Sequence, residues 1–324
     1  MSTLHLQPIT SCLRHAQRGV ALLTALLVTA IIAIIAVNMA STQQLDIRRT
    51  GNIFDVDQAY LYTLGIESWA QNLLAKDFLK NPAVDNLSED WASALAPIKV
   101  EGGKVAAEIL DMQGRFNLNN LVGQDDKPSD EDVRIFQRLL IGLKLEPELV
   151  QPLIDWIDKN VELTIPNGAE DVEYLKHAPP YRTANAPLTS PSELLLIKGF
   201  TPEVYARIAP FIATLPTLPQ PTKINVNTAP AQVLASLADN MSLADGEALV
   251  KARKTKAFAT LEEFKLHPAL AGREIKTDKL AVSTSYFLVA ASSQAGRAQV
   301  QLYSLLYRDP EDKVRVIMRG QGAF

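Results

Sequence analysis

Cysteine is nearly absent from this sequence, since Cys12 is the one cysteine among 324 residues. A single thiol cannot close an intrachain disulfide, and it cannot build a cysteine-rich zinc site. Cys12 also precedes an apolar run that starts at Val20, so a chain processed at that point would carry no thiol. We therefore expect the fold to be stabilised by core packing, by long-range contacts or by a bound ion.

The sequence also lacks an excess of basic residues and the common catalytic motifs. Its formal net charge is -4, whereas a protein whose main surface binds nucleic acid normally carries a positive balance. No GxSxG, HExxH or glycine-rich nucleotide loop is present. Two of the four histidines precede the apolar run, and the other two flank prolines in expected surface loops: His5, His15, His177 and His267. We predict that the protein is not an enzyme.

The longest apolar run covers residues 20–37, and only Thr24 and Thr29 interrupt it. At about 1.5 Å per residue, this run and its flanks just cross a hydrocarbon layer of about 30 Å. Arg14 and Arg18 lie directly before the run. By the positive-inside tendency, they put the N-terminus in the cytoplasm and the bulk of the chain outside. The alternatives are a plain signal anchor and a secretory signal peptide, but the latter has a shorter apolar region followed by its cleavage site.

The junction before the apolar run predicts processing. A basic leader ends in Gly19 and the apolar helix starts at once with Val20, a pattern that resembles the type IV prepilin signal. The resemblance implies that a prepilin peptidase cuts after Gly19 on the cytoplasmic side. Prepilins usually have Glu at the fifth mature position, where this sequence has Thr24. A carboxylate inside the bilayer is costly unless it is paired, and a subunit with nothing ahead of it has no amine to pair, so Thr24 implies a tip position.

Beyond the apolar run a helical pattern continues to about Leu79. Apolar residues recur on or near one helix face: Ile53, Val56, Tyr60, Leu64 and Leu74. Asn81 and Pro82 are expected to end this helix. Strand-like segments follow at residues 98–116, and again at 285–293, 298–308 and 313–319, with turn residues between them. Together they predict an antiparallel sheet whose parts are distant in sequence.

Residues 129–280, between the two strand blocks, have a helical pattern. Ser190 with Glu193, and Thr260 with Glu263, have the spacing of capping boxes. The sequence thus predicts an α+β fold, with a pilin-like long N-terminal helix on an antiparallel sheet and a large helical insertion of the helix-hairpin-helix or SAM-like kind. The expected divisions are a leader (1–19), a membrane part of the helix (20–40), the first part of a pilin core (41–120), the insertion (121–280) and the C-terminal strands (281–324). Over almost its full length the chain resembles the K subunit of the type II secretion pseudopilus, where such an insertion enlarges the head.

Residues 223–237 followed by 245–264 resemble half of a helix-hairpin-helix pair, and residues 190–212 resemble a further copy. In DNA-binding versions a glycine-rich hairpin holds a phosphate through backbone N–H groups. Residues 238–242 lack glycine here, and Asp239 would repel a phosphate. A nearby basic cluster is expected to form a solvated helix face: Lys251, Arg253, Lys254 and Lys256. The helix-hairpin-helix resemblance makes a membrane-anchored DNA-uptake receptor the alternative function. Because of the missing glycine and of Asp239, we expect no nucleic acid binding.

An acidic cluster occupies residues 155–171. Asp155 and Asp158 share a helix face at spacing i, i+3, and the glycine-containing loop after them brings Glu170 and Asp171 within reach. Four unpaired carboxylates at one point repel each other, so a hard cation is the natural compensation, although the EF-hand pattern is absent. A solvated acidic loop and a paired-carboxylate hydrolase remain the alternatives.

The family resemblance adds calcium to this cluster. In the K family a similar stretch forms a calcium-binding region, which implies a ligand set in this chain: Asp155, Asp158, Asn160, Glu170 and Asp171. Asn160 stands where the family usually has a third Asp, and the lost charge should weaken calcium binding.

The resemblance also implies a function and a location. The expected function is that of a minor pseudopilin, which initiates and caps the pseudopilus tip together with I- and J-type subunits above the major pseudopilin. The expected location is the bacterial inner membrane, with one span and the head in the periplasm.

Overall fold

The computed structural model describes residues 16–217, 220–309, 311 and 313–321, with side chains from Val20 onward. The expected leader up to residue 15, including Cys12 and Arg14, lies outside these residues. The α-helices are α1 (Ala16–Lys80), α2 (Asp130–Gly142), α3 (Val150–Ile157), α4 (Asp171–Tyr174), α5 (Pro202–Ile208), α6 (Ala231–Ala235), α7 (Leu243–Thr255) and α8 (Leu261–Lys265). The strands are β1 (Leu95–Val100), β2 (Gly103–Asp111), β3 (Phe116–Asn117), β4 (Ile212–Ala213), β5 (Ile224–Asn225), β6 (Leu280–Ala281), β7 (Tyr286–Ala295), β8 (Ala298–Arg308) and β9 (Val314–Gln321).

The N-terminal helix α1 has 65 residues, which at about 1.5 Å per residue makes it about 98 Å long. Its residues 20–54 are all exposed, and burial begins further along, at positions that recur every three or four residues: Ala59, Thr63, Ile66, Ala70 and Leu74. The residues of the predicted apolar face differ in burial, since Leu74 is fully buried whereas Ile53 and Val56 are 61% and 49% exposed. The reason is that the head packs against α1 only from about Ala59 onward.

The predicted end of α1 is confirmed. The helix stops at Lys80, and the N–H of Asn81 still donates to the carbonyl of Asp77 at 3.1 Å. Pro82 follows and has no N–H with which to continue the ladder. Among the described residues, α1 is the one helix long and apolar enough to cross a membrane.

A five-stranded antiparallel sheet packs on the C-terminal half of α1, in the order β1-β2-β7-β8-β9. The predicted α+β architecture is thus confirmed, since strands from the two ends of the head pair directly in β2 and β7. A core lies between α1 and the sheet, where Trp91 packs edge-on against Phe287 with ring centroids 5.2 Å apart. The chain between β2 and β7 forms the insertion.

A β-bulge in the edge strand β9 changes which face of the sheet its side chains point to. Leu305 pairs with Met318 and Leu306 pairs with Val316, so Ile317 is an extra residue without a partner on β8. Val316 consequently packs in the core next to α1, whereas Met318 packs on the opposite side of the sheet.

The insertion has its own core, which contains the stacked rings of Phe116 and Phe136, 5.3 Å apart. Two short parallel strand pairs, β3 with β4 and β5 with β6, lie within or beside the segment that we predicted as helical. Strands of two residues have no periodicity to detect. The capping box of Ser190 and Glu193 is present, although it starts a 3-10 helix (Pro191–Leu196).

Candidate metal centre

Asp155 lies near the C-terminal end of α3 and is completely buried. Its carboxylate accepts hydrogen bonds from the backbone N–H groups of Thr164, at 3.0 and 3.3 Å, and Ala169, at 2.7 Å. These bonds fold the loop after α3 around the carboxylate. Gly168 makes this possible, because a Cβ there would lie 2.2 Å from Oδ2 of Asp155 and 2.5 Å from the carbonyl oxygen of Thr164. Burial raises the pKa of Asp155.

Asp158 and Glu170 are the second and third buried carboxylates of this cluster, 2% and 5% exposed. Oδ1 of Asp158 and Oε1 of Glu170 are buried, and neither has a hydrogen-bond partner among the described residues. Burial, followed by the negative charges of Asp155 and Asp126, raises the pKa of Asp158 to about 6. Burial and the charge of Asp155 likewise raise the pKa of Glu170 to about 7.

Asp171 and Asn160, the other two predicted ligands, are already engaged. Asp171 accepts from the N–H and the hydroxyl of Thr183, at 3.1 and 2.9 Å, and pairs with Arg182 at 3.2 Å. Oδ1 of Asn160 accepts from the N–H of Glu162 at 2.6 Å, and Asn160 donates to Asp158. The structure therefore gathers Asp155, Asp158 and Glu170, whereas Asp171 and Asn160 fasten the surrounding loops.

Asp126 is a member of this neighbourhood that the sequence analysis missed. It lies at a positive φ of 62° in the turn before α2, and its carboxylate accepts from the N–H of Lys159 at 3.1 and 3.2 Å. Its charge adds to the repulsion on Asp158. Asp126 precedes the cluster by about thirty residues, so only the acidic turn at residues 125–126 could have drawn attention to it.

Aromatic side chains lie beside the cluster. Trp156 packs edge-on against Tyr174 with centroids 5.3 Å apart, and Tyr174 stacks on Tyr181 at 5.4 Å. The charges of Asp155 and Glu170 act on the Tyr174 hydroxyl. The three carboxylates are thus surrounded by low-dielectric material, where an uncompensated charge is expensive.

A residue set that would fit a hard cation must offer oxygen ligands without competing donors. Two buried carboxylate oxygens without a hydrogen-bond partner, on residues whose pKa values are raised, meet that condition in donor type. Among the described residues, the oxygens of Asp155, Asp158 and Glu170 do not all lie within 4.8 Å of one another, so a bound Ca²⁺ would have to draw them together. Asp155 contributes charge, although its oxygens also accept backbone N–H groups. The alternative of a paired-carboxylate hydrolase that uses Asp155 is disfavoured by burial. Asp155 has no exposed surface for a substrate to reach.

A tighter acidic group lies elsewhere, where oxygens of Asp77, Asp85 and Glu89 are all within 4.8 Å of one another. Arg308 already supplies the cation there. Its Nη2 donates to both oxygens of Asp85, at 2.5 and 2.6 Å, and its Nη1 lies 3.6 Å from Asp77. Both carboxylate oxygens of Glu89 accept hydrogen bonds from Asn86, and one of them also accepts a hydrogen bond from Nε1 of Trp91. This group is a buried ion-pair network and does not fit a metal.

The basic cluster at the end of α7 is in part the solvated face that we predicted, since Lys251, Lys254 and Lys256 are exposed, but Arg253 departs from the prediction. Arg253 is half-buried and donates to the carbonyl oxygens of Val226, at 2.7 Å, and Thr228, at 3.2 Å. Burial lowers its pKa to about 10. Lys256 pairs with Glu263 at 2.8 Å. The cluster therefore presents three exposed lysines, one of them paired with a carboxylate, and not four free charges, which weakens the case for a phosphate-binding surface.

The residues predicted to act in processing and tip placement lie on α1. Gly19 is within the helix, and Val20 is 61% exposed. The hydroxyl of Thr24 donates to the carbonyl oxygen of Ala21 at 3.0 Å. The one polar group at this position is thus satisfied within the helix, as a lipid environment requires.

Comparisons with known proteins agree with this architecture. Two family models described as "Type II secretion system (T2SS), protein K" match residues 114–217 and 224–284. The chain is similar to type II secretion system protein K of Pseudomonas aeruginosa, with 37% identity that covers 96% of this chain and 94% of the relative. The protein K of Aeromonas hydrophila is 32% identical, with coverage of 96% and 98%.

A solved structure is similar as well. It is a chain of the GspK-GspI-GspJ complex from the enterotoxigenic Escherichia coli type 2 secretion system. The TM-score is 0.75 with 26% sequence identity, and the alignment covers 85% of this chain and all of the other.

Proposed function

This chain belongs to the type II secretion system protein K family, and we propose that it is the minor pseudopilin that initiates and caps the pseudopilus to support protein export across the outer membrane. One observation carries the proposal. Residues 20–54 of α1 are exposed along their whole length and end in a head whose insertion forms a separate core. Such a helix needs a bilayer and neighbouring helices to cover it.

The anchor defines how the subunit is held. In the part of the chain that the structure describes, one helix is long and apolar enough to cross a membrane, which fits a single-pass membrane protein. The basic leader favours a cytoplasmic N-terminus. We propose that prepilin peptidase cuts after Gly19, that the mature chain starts at Val20 in the inner membrane, and that the head lies in the periplasm.

The partners follow from the same helix and from the solved relative. That relative is a chain of a complex with GspI and GspJ, and we propose that this chain binds the corresponding I- and J-type subunits and stands above the major pseudopilin. Beyond the apolar run, α1 still exposes large apolar side chains that could pack against other helices: Leu45, Ile47, Ile53 and Phe54. The insertion adds a second hydrophobic core to the head, and a subunit enlarged in this way suits a position with nothing stacked above it. Thr24 supports the same position.

Calcium is part of the proposal. Asp158 and Glu170 would supply their partnerless oxygens, and Asp155 would add a third negative charge. A bound Ca²⁺ would neutralise the cluster and hold the end of α3 against the start of α4. Asn160 and Asp171 could join as ligands only by exchanging their present donors.

Co-purification tests the proposal. Full-length chain is expressed with I- and J-type partners in a strain that lacks its own protein K, and complex formation and export are measured together. We expect a ternary complex and restored export. Salt-sensitive binding to duplex DNA, without a ternary complex, would favour the anchored DNA receptor instead.

A further inference from the structure

Strand β9 is an open edge of the five-stranded sheet. It is the last strand in the order β1-β2-β7-β8-β9, so one of its two sides pairs with no other strand among the described residues. The opposite edge strand, β1, is poorly suited to an added strand, because it contains Pro97 and its pairing with β2 is irregular between Leu95 and Ile98. Strand β9 has eight residues and no proline. An open edge of this kind can accept a strand from another protein.

A cavity of about 350 Å³ lies next to β9, between the sheet and the insertion. Its lining comes from the insertion, at Asn119 and residues 187–189 and 214–217, and from the sheet, at Leu305, Ile317 and Met318. The bulge residue Ile317 is 41% exposed there. Cavities of roughly 300–1,000 Å³ are typical of ligand sites, so this one has room for a large apolar side chain.

Buried asparagines hold the cavity in shape. Oδ1 of Asn117 accepts from the N–H of Leu215 at 2.9 Å. Asn119 donates to the carbonyl oxygen of Leu188 at 2.9 Å and accepts from its N–H at 2.8 Å. Both loops of the insertion that line the cavity are therefore fixed, and a preformed site loses less entropy on binding. The hydroxyl of Thr214, in the same lining, is buried and has no hydrogen-bond partner among the described residues.

Arg315 gives this open edge a positive charge. It lies opposite Tyr307 on β8, and its guanidinium is 5.3 Å from the centroid of that ring. Tyr307 packs with Leu305 and Met318 on the side of the sheet away from α1, so Arg315 and the cavity share that side. Arg315 is exposed and takes part in no ion pair with the described residues, whereas Arg319 is paired with Glu67. A carboxylate is the complementary group for this guanidinium.

We propose that β9 and the adjoining cavity bind an extended segment of a partner protein. The segment adds to the sheet as a further strand, places a large apolar side chain in the cavity and sets a carboxylate against Arg315. These two side chains are about two residues apart in the segment, because Arg315 and Ile317 are two positions apart on β9 and alternate residues of a strand face the same side. A lipid or a small apolar molecule would fill the cavity but would leave the edge of β9 unpaired.

Site-specific photo-crosslinking tests this site in the full chain in secreting cells, a setting that rests on the proposed function. A photoreactive phenylalanine analogue replaces Ile317 in one variant and Thr189, an exposed residue of the cavity lining, in another. Ile98 is the matched control, because it is an isoleucine on the opposite edge strand and is 48% exposed. Crosslinked peptides are identified by mass spectrometry, and complex formation with the I- and J-type subunits is measured in the same cells.

We expect several-fold stronger crosslinking at positions 317 and 189 than at position 98. The crosslinked segment should contain an acidic residue and a large apolar residue about two positions apart. Arg315→Glu should reduce these crosslinks several-fold, and changing the acidic residue of the segment to lysine should restore them. Lys99→Glu, the same kind of charge reversal at an exposed position of β1, should leave them unchanged.

Four results would overturn the proposed site: crosslinking no stronger than at position 98, crosslinks to lipid or to a second copy of this chain, a segment without the expected pattern, or equal losses with Arg315→Glu and Lys99→Glu. The proposed function is judged separately, by the ternary complex of the unaltered chain. If that complex is absent, the proposed function fails, whereas the crosslinks at positions 317 and 189 still decide the site.

Discussion

Glu67 on α1 and Arg319 on β9 form a paired ion contact, with Nε to Oε2 and Nη2 to Oε1 both at 2.8 Å. Ser304 on β8 donates a third hydrogen bond to Oε2 at 2.5 Å. The carboxylate is buried, and burial alone would raise its pKa, but the bonds from Arg319 and Ser304 outweigh burial and lower it. This contact joins the edge of the sheet to the anchor helix, and it reaches α1 because the bulge at Ile317 lets Arg319 face the helix.

We expect Glu67→Gln to reduce the free energy of unfolding of the head by about 1.5–3 kcal/mol, the usual value of hydrogen bonds to a charged group. Because the folded-state pKa of Glu67 is lowered, its stabilisation is full above the unfolded pKa and is lost as the pH falls through the folded pKa. Urea titrations should therefore separate the variant from the unaltered protein at neutral pH, and the two titrations should converge at acidic pH. Glu108→Gln, on the exposed side of β2, is the control.

We expect Arg308→Met to destabilise the head by about 3–5 kcal/mol, because it leaves Asp85 as a buried charge without its partner. Burial and the charge of Asp85 already raise the pKa of Asp77, so protonation would relieve the repulsion in the variant. The deficit should shrink as the pH is lowered, as followed by chemical denaturation. Arg315→Met removes an arginine that lies over Tyr307 at the exposed sheet edge and should cost much less. An equal cost for both would contradict this account.

We expect calcium to stabilise the head, by about 2.7 kcal/mol at a concentration one hundred times its dissociation constant, and a chelator to reverse the effect. The pKa values of Asp158 and Glu170, about 6 and about 7, lie above their ordinary values. The apo form should therefore lose stability as the pH rises through this window, while calcium binding tightens because it releases protons. Calorimetry at two pH values should show both trends. Asp158→Asn with Glu170→Gln should abolish them, whereas Glu173→Gln, whose carboxylate pairs with Lys176, should not.

We expect Gly168→Ala to weaken calcium binding and to destabilise the loop by about 1–3 kcal/mol, the usual cost of overpacking. The new Cβ would meet the carboxylate of Asp155 and the backbone of Thr164, and neither can move without breaking the hydrogen bonds between them. Gly142→Ala is the matched control, since a Cβ at Gly142 meets nothing within 4 Å. Thermal melts with and without calcium would measure both effects, and similar melts for the two variants would refute the steric argument.

We expect intact-mass analysis of membrane-extracted protein to show a mature start at Val20 in cells with prepilin peptidase and an unprocessed chain in cells without it. A bulky substitution of Gly19 should block the cut, because it changes the residue before the cleaved bond. Gly51→Ala should leave processing unchanged, since Gly51 is distant from the junction and has open space around it. Cleavage beyond residue 37 would contradict a prepilin signal.

Local patterns in the sequence were sufficient for the elements that are built from neighbouring residues. The apolar run and the Asn81–Pro82 stop determined the extent of α1, alternation indicated the strands, and the spacing of Asp155, Asp158 and Glu170 pointed to one acidic cluster. Each of these signals comes from backbone periodicity or turn chemistry over a few residues, which the sequence states directly.

Only the tertiary structure decided which distant groups meet. It paired Arg308 with Asp85, brought Asp126 to Asp158, and turned Arg253 inward to backbone carbonyls. It also placed the bulge at Ile317. These contacts depend on how the chain closes over separations of tens to hundreds of residues. A charged side chain has the same local sequence signature whether it ends in solvent or in a buried ion pair.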